Sequence, residues 1–173
     1  FKQYDGTIFK AEKINTHGGS LRVYIKKDKN VKIQKSVKDL INKEVKFGIK
    51  NFKTYQNFGN KIDKIRLNVT RSIKKLKQEH EQIVAYGAPA KATTALNYFN
   101  ISKEIDFIVE DNKLKHGKFV PGVKIPIVSK NKLKDSNSTI LVLAWNFFEE
   151  IKKKNNKFAK NFINIKELFT ESV

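Results

Sequence analysis

Apolar and polar residues recur along the chain with two different periods. Thr7–Ile14 and Ser20–Lys26 show the two-residue period of β-strands. Apolar residues then recur at steps of three and four, which predicts a first helix from about Ser36 and one long amphipathic helix over Asn51–Gln78. The first half of the chain is therefore predicted to be a strand pair followed by two helices, with an interruption near Gly48.

Short apolar runs alternate with helical patterns in the second half of the chain. Ile83–Tyr86, Ile105–Val109 and Thr139–Ala144 are typical of buried strands, and Phe158–Ile165 is predicted to be a last strand. Strands separated by helices predict an α/β domain with a mostly parallel sheet and flanking helices.

A loop of small residues, Gly87–Ala90, joins the first of these strands to a helix. Ligands of parallel sheets collect beyond the carboxyl ends of the strands, so Gly87 is predicted to lie at such a crevice. Lys91 opposes the helix dipole in the first helical turn, and a bound anion would explain it; a solvated lysine is the alternative. The loop lacks the further glycines of a dinucleotide fingerprint and the ending of a phosphate-binding P-loop.

Two other polar residues follow predicted strands. In dinucleotide-binding folds an acidic residue about 20 positions after the glycine loop holds a ribose, and Asp111 has a similar spacing from Gly87. Turn formation is the alternative role of Asp111. Asn146 follows the Thr139–Ala144 run, where it could contact a ligand or cap the next helix. Because parallel strands end at one edge of a sheet, Gly87, Asp111 and Asn146 are all expected at that edge.

The charge of the chain is strongly positive, with 36 Lys and Arg against 17 Asp and Glu and a net charge of +19. The arginines are Arg22, Arg66 and Arg71, whereas Lys, Asn and Ile are abundant throughout, which indicates a general compositional bias. No basic block carries the interleaved aromatic residues of a base-stacking surface. Nucleic acid is therefore not a predicted partner.

The chain has no Cys, which excludes disulfides, thiolate zinc sites and a cysteine nucleophile within it. It also has no Met, which indicates a piece of a longer protein. No apolar run approaches the roughly 18 residues of a membrane helix and no signal peptide is evident, so we expect a cytoplasmic protein with no membrane partner. His17, His80 and His116 lack metal-ligand or catalytic spacing, so no catalytic or metal-binding residue is predicted.

Four blocks follow one another with natural spacing: THGGSLRVYI at 16–25, AYGAPAKATTALNYFNI at 85–101, IDFIVEDNKLKHGKFVPGVKIPIV at 105–128 and LVLAWNFFEEI at 141–151. Together they resemble the carboxy-terminal part of S-adenosylmethionine-dependent sugar C-methyltransferases, which act on nucleotide-linked deoxysugars. The resemblance covers nearly the whole chain. It departs at Lys91-Ala92, where the family often has Lys-Gly.

The resemblance implies a three-part protein with a cysteine-rich zinc segment, a methyl-donor domain and a Rossmann-like carboxy-terminal domain. Residues 1–27 would then be the closing strands of the methyl-donor domain, 28–82 a helical connector and 83–173 the Rossmann-like domain. S-adenosylmethionine, the structural zinc and the catalytic residues are expected upstream of this chain. No cofactor is expected to bind within the chain, and whether the parent protein is an active enzyme stays open.

The resemblance also implies a role on the substrate side, in which the chain helps to hold a nucleotide sugar, with thymidine diphosphate as the favoured carrier. The predicted substrate-binding residues are His17, Arg22, Gly87, Lys91, Asp111 and Asn146. Flanking glycines leave His17 accessible, and Arg22 offers a bidentate fork to a diphosphate. The expected partners are the nucleotide sugar and the upstream domain. The alternative is a nucleotide-binding or interaction domain without catalysis; the sequence identifies neither the sugar nor the oligomeric state.

Overall fold

The computed structural model of the chain describes residues 1–16, 18–79, 82–133 and 138–170. The chain divides into two compact units, Phe1–Asn60 and Lys61–Val173. The division falls within one long helix, so each unit takes part of it. The boundaries expected after residues 27 and 82 concern the domains of a longer protein and stay predictions.

The first unit contains an antiparallel strand pair and a helix. Strand β1 (Thr7–Ile14) pairs with β2 (Ser20–Lys26), as the two-residue period predicts. Helix α1 (Lys35–Phe47) contacts β1, where the amide of Ala11 donates a hydrogen bond of 3.2 Å to Ser36 Oγ. A short 3-10 turn precedes β1.

Gly48 ends α1 because it adopts a φ of +84°, in the left-handed region that favours glycine. The chain becomes helical again as α2 (Phe52–Glu79), in which Val69 and Ile73 are buried. The predicted interruption and the predicted long helix are thus both confirmed. None of the helices that the described residues form is long and apolar enough to cross a lipid bilayer.

The second unit is built on a parallel sheet of five strands, which confirms the predicted fold class. The strands are β3 (Ile83–Tyr86), β4 (Ile108–Val109), β5 (Ile127–Val128), β6 (Thr139–Val142) and β7 (Asn161–Asn164). They lie in the order β5-β4-β3-β6-β7, and each neighbouring pair is parallel. Strand β3 is therefore central.

Helices cover both faces of this sheet. Successive side chains of a strand point to opposite faces, so Ile83 and Ala85 pack in one apolar cluster with residues of α2 and of α3 (Ala90–Phe99). The intervening Val84 packs in a second cluster with residues of α4 (Phe148–Asn155). A sheet buried on both faces explains why its strands are continuous apolar runs.

The structure differs from the prediction at the ends of strands. The predicted strand Ile105–Val109 is reduced to its last two residues, although the Asp106 amide already donates to the Ile83 carbonyl oxygen over 3.0 Å. Strand β5 is too short to produce a period in the sequence and was not predicted. The last predicted strand ends at Asn164 because residues 165–169 form a 3-10 turn.

Candidate functional site

The order of the strands creates a crevice at the carboxyl ends of β3 and β6. From β3 the chain continues to β4, towards one edge of the sheet. From β6 it continues to β7, towards the opposite edge. Open α/β sheets bind ligands at this kind of switch point, since the two connections leave in opposite directions. Gly87 and Ala144 lie just beyond these two strands.

Gly87 is required at this point for two reasons. Its φ is +88°, and a Cβ added to it would lie 2.7 Å from the Cβ of Ala144. Its amide donates a hydrogen bond of 2.8 Å to the Val109 carbonyl oxygen, which ties the loop after β3 to the end of β4. The backbone of this loop therefore passes close against the end of β6.

A cleft of about 330 Å³ opens at the crevice. Its walls come from the loops after β3, β4 and β6 and from one side of α4. The lining residues are Tyr86, Gly87, Pro89, Glu110, Asp111, Lys115, Ala144, Phe147, Glu150, Ile151, Lys154 and Asn155. All of them belong to the second unit.

Glu110 joins the loops that follow β3 and β4. Its Oε2 accepts a hydrogen bond of 2.8 Å from the Ala88 amide, and its Oε1 accepts one of 3.1 Å from the Asn112 amide. Lys115 Nζ donates to Glu110 Oε2 over 3.2 Å and to the Ala88 carbonyl oxygen over 2.9 Å. A carboxylate of the protein thus binds an amide of the loop that was expected to meet the anion of a ligand.

The charge state of Glu110 follows from these contacts. Burial by itself favours the neutral acid, but the amides of Ala88 and Asn112 and the ammonium group of Lys115 outweigh it. They hold the pKa of Glu110 below its ordinary value of 4.5. The carboxylate is therefore charged at neutral pH, when its contacts with the two amides and with Lys115 can all form.

Tyr86 and Asp111 form a second polar contact in the cleft. The Tyr86 hydroxyl donates a hydrogen bond of 2.8 Å to Asp111 Oδ1. Tyr86 is buried and Asp111 is exposed. Burial, followed by the contact with the Asp111 carboxylate, raises the pKa of Tyr86 well above its ordinary value of 10.0. Tyr86 therefore stays a hydrogen-bond donor, and it holds an accessible carboxylate at the mouth of the cleft.

Helix α4 supplies the opposite wall. Lys154 Nζ lies 2.6 Å from Glu150 Oε1, and this hydrogen bond raises the pKa of Lys154. Asn155 is buried, and its Nδ2 donates to the Ile151 carbonyl oxygen over 2.8 Å. The wall thus presents a paired carboxylate and ammonium group to the cleft.

The ionised groups of the cleft are of both signs. Glu110, Asp111 and Glu150 are carboxylates, and Lys115 and Lys154 are ammonium groups. Carboxylates accept hydrogen bonds from hydroxyl groups, and ammonium groups donate to hydroxyl or phosphoryl oxygens. In the described parts of the chain, no three His, Asp or Glu side chains are grouped as metal ligands. The arrangement suits a ligand that carries several hydroxyl groups.

The predicted residues of the second unit have different positions relative to the cleft. Gly87 and Asp111 line it. Lys91 is exposed, and its Nζ lies 4.4 Å from the centre of the Trp145 ring, in a cation–π contact. Asn146 is exposed within a 3-10 turn, Trp145–Phe147. Capping of α4, which was the alternative role of Asn146, is wrong because Phe147 occupies the N-cap position.

The two predicted residues of the first half cannot be placed in this cleft. Arg22 is exposed on β2, where it is paired with Glu12 across the strands, and it belongs to the first unit. His17 lies outside the described residues. The roles of both in substrate binding stay predictions.

Sequence reasoning missed Glu110, Lys115, Glu150 and Lys154. Glu110 had the same signal as Asp111, since both directly follow the same apolar run. Lys115 lies in a loop without a period, and only the return of that loop to Ala88 gives it a role. The charges of α4 lie in the order that the helix dipole favours, with Glu149 and Glu150 early and Lys152–Lys154 late, and this order does not indicate which side of the helix faces the cleft.

Comparison with known proteins finds sequences that are related to this chain. Residues 15–165 match a family model described as the C-methyltransferase C-terminal domain. The C-methyltransferase NovU of Streptomyces niveus is 26% identical to the chain over 164 residues, which are 93% of this chain and 39% of that protein. The chain thus spans well under half the length of this relative.

Proposed function

The chain belongs to the family of C-methyltransferase C-terminal domains, and from this membership we propose that it is the substrate-side domain of an S-adenosylmethionine-dependent methyltransferase. The proposed substrate is a deoxysugar linked to a nucleotide, with thymidine diphosphate as the favoured carrier. The domain helps to hold this substrate. The methyl donor, the structural zinc and the catalytic residues belong to the upstream part of the parent protein. The cytoplasmic location stays a prediction.

The cleft at the switch point is the observation that carries this proposal. It lies where parallel α/β sheets bind ligands, and its walls offer hydrogen-bond acceptors and donors for a polyhydroxy group. Asp111 and Glu150 supply carboxylate oxygens for sugar or ribose hydroxyls. The cleft has the volume of a small-molecule site, at about 330 Å³.

The diphosphate of the nucleotide sugar is proposed to lie at the start of α3, away from the carboxylates of Asp111 and Glu150. No side chain caps this helix among the described residues. The Ala92 amide already donates to the Pro89 carbonyl oxygen over 2.9 Å, so the amides available to an anion are those of Ala90 and Lys91. Lys91 stands in the first turn and would move from the Trp145 ring to a phosphoryl oxygen. Arg22 and His17 remain predicted substrate contacts.

The experiment is a measurement of nucleotide-sugar dissociation constants in the complete parent protein. Lys91→Ala, Arg22→Ala and Arg22→Lys should each weaken binding by about tenfold to a hundredfold, as expected for lost hydrogen bonds to a charged group. Lys103→Ala is a matched control, because Lys103 is an exposed lysine in the connection from α3 to β4. Unchanged binding by all the variants, with the fold retained, would place the substrate elsewhere.

A nucleotide-binding or interaction domain without a role in catalysis is the second possibility. Its support is that the polar groups of the cleft suit binding and that no catalytic spacing was found in the sequence. Methyl transfer to thymidine-diphosphate sugars by the complete parent protein separates the two functions. Turnover that is lost with Asp111→Asn and Lys91→Ala supports the substrate-side role, whereas unaffected turnover supports the alternative.

A further inference from the structure

A second concave surface of the second unit lies along α2 and shares no lining residue with the cleft. Two hollows of about 380 Å³ and 440 Å³ adjoin each other there, and both are lined by Asn68 and Arg71. One continues to Lys75 and the other to Lys61. We call this surface the α2 groove. Lys61 and Lys75 are about 21 Å apart along the helix axis at the rise of an α-helix.

The floor of the α2 groove is apolar. Ile65 and Leu76 of α2 line it from one side, and Ile163, Leu168 and Phe169 line it from the other. Each of these side chains is partly buried and packs on the hydrophobic core with the rest of its surface. An apolar ligand group placed on this floor would extend the core, with the gain that follows from removing apolar surface from water.

Basic side chains predominate at the rim of the α2 groove, where the acidic lining residue, Glu79, pairs with Lys75 over 3.8 Å. Lys61, Lys64 and Arg71 are exposed on the side of α2 that borders the hollows. None of the three forms an ion pair with a carboxylate of the described residues. Asp63, which directly precedes Lys64 in the sequence, instead accepts a hydrogen bond of 2.9 Å from the Tyr98 hydroxyl.

We propose that the α2 groove binds an acidic polypeptide segment that also carries apolar side chains. The carboxylates of the segment meet Lys61, Lys64 and Arg71, and its apolar side chains lie on the floor. Arg71 can hold a carboxylate with two parallel hydrogen bonds, which a lysine cannot do. Charge complementarity selects an acidic partner, and the apolar floor selects a polypeptide.

Nucleic acid fits the α2 groove less well. Phosphodiester backbones bring charge but no apolar groups for the floor. Binding of single strands also relies on exposed aromatic faces for base stacking. The aromatic side chain of the floor, Phe169, is partly buried and packs edge-on against Phe99, with the ring centres 5.9 Å apart.

The experiment measures the binding of a fluorescein-labelled peptide to the complete 173-residue chain by fluorescence anisotropy. The peptide has about eight residues in which Glu and Leu alternate, since about 21 Å corresponds to six or seven extended residues. We expect a dissociation constant in the micromolar range. Lys64→Glu and Arg71→Glu should each weaken binding by about tenfold, and Leu67→Ser, at an exposed apolar position of the groove, should weaken it less.

Lys74→Glu is the matched control, because Lys74 is an exposed lysine of the same helix that does not line the α2 groove. Circular dichroism verifies that each variant is folded. Equal loss of binding in Lys74→Glu and Arg71→Glu would reduce the effect to the net charge of the chain and overturn the proposal. The proposal would also be overturned if a peptide with Ser in place of Leu bound as tightly as the Glu and Leu peptide. Tighter binding of an oligothymidine of similar length, or no binding of the Glu and Leu peptide, would overturn it as well.

Discussion

The carboxylate of Glu110 accepts a hydrogen bond of 2.8 Å from the backbone amide of Ala88. This bond connects the loop after β4 with the loop after β3, at the edge of the sheet where the ligand is proposed to bind. Lys115 strengthens the connection, since its ammonium group contacts both Glu110 and the Ala88 carbonyl oxygen. The shape of the glycine loop therefore depends on an ionised side chain that lies in another connection of the fold.

Glu110→Gln should lower the free energy of unfolding by about 1–3 kcal/mol at pH 7, because hydrogen bonds to a charged group are replaced by neutral ones. The folded protein holds the pKa of Glu110 below 4.5, so this contribution is present above pH 4.5. It is lost as the pH falls through the lower pKa of the folded state. Urea denaturation of both proteins across this pH range measures the difference.

The control for this variant is Glu149→Gln, at an exposed position of α4. It removes the same charge and should change the free energy of unfolding by no more than a few tenths of a kcal/mol, about the range of surface substitutions. A difference between the wild-type protein and Glu110→Gln that stays constant down to acidic pH would show that the ionised state of Glu110 has no role.

Gly87→Ala should be destabilising by about 2–4 kcal/mol, because the new Cβ meets both a left-handed backbone and a close neighbour. The φ of Gly87 is +88°, and the Cβ would lie 2.7 Å from that of Ala144. Gly117→Ala separates the two causes, since Gly117 has a φ of +74° and open space around it. That control should cost about 1 kcal/mol. Equal losses in the two variants would refute the close approach of the loop to β6.

Tyr86 should keep its proton at a pH at which an ordinary tyrosine has lost it. Burial and the Asp111 carboxylate raise its pKa above 10.0, so the stability that they give is present below pH 10 and is lost as the pH rises through the pKa of the folded state. Tyrosinate absorbance of the wild-type protein and of Tyr86→Phe measures this. The absorbance difference between them should be absent at pH 10 and should develop only well above it, and a difference with its midpoint near pH 10 would contradict the assignment.

The 173-residue chain should not bind S-adenosylmethionine in a saturable way or transfer its methyl group. The reason is that the donor pocket is predicted to lie upstream, and the glycine loop at Gly87 resembles that of the family's last domain. Titration calorimetry of the chain with the cofactor measures this, and the complete parent protein is the positive control. Micromolar binding of S-adenosylmethionine to the chain would mean that the methyl-donor pocket lies within these 173 residues.

Long elements with a regular pattern of polar and apolar residues were predicted well from the sequence. Strands β1 and β2 have the predicted bounds, and α2 differs from its prediction by about one residue at each end. These elements are recognisable because every turn of a helix, or every second residue of a strand, repeats the same choice of polar or apolar residue. The parallel sheet follows from the alternation of buried strands with helices, and this prediction is confirmed.

The cleft could be predicted only in part. The strand-end rule selected Gly87 and Asp111, which do line it, because that rule needs no knowledge of which strands are neighbours. It did not select Lys115 or Glu150, which are brought to the cleft by a returning loop and by the side of α4 that packs there. Asn146 is of a residue type that often caps helices, but it lies within a 3-10 turn, and Phe147 occupies the N-cap position of α4.

The sequence by itself determined the fold class, the extended and helical segments and the family resemblance, because each of these is contained in local pattern and in residue identity. The tertiary structure alone decided the strand order β5-β4-β3-β6-β7, and with it the contact of Glu110 with Ala88. The physical reason is that pairing between distant strands depends on how all the apolar faces are buried together. No single segment contains that information, so the partners of a side chain at the edge of the sheet emerge only when the sheet is assembled.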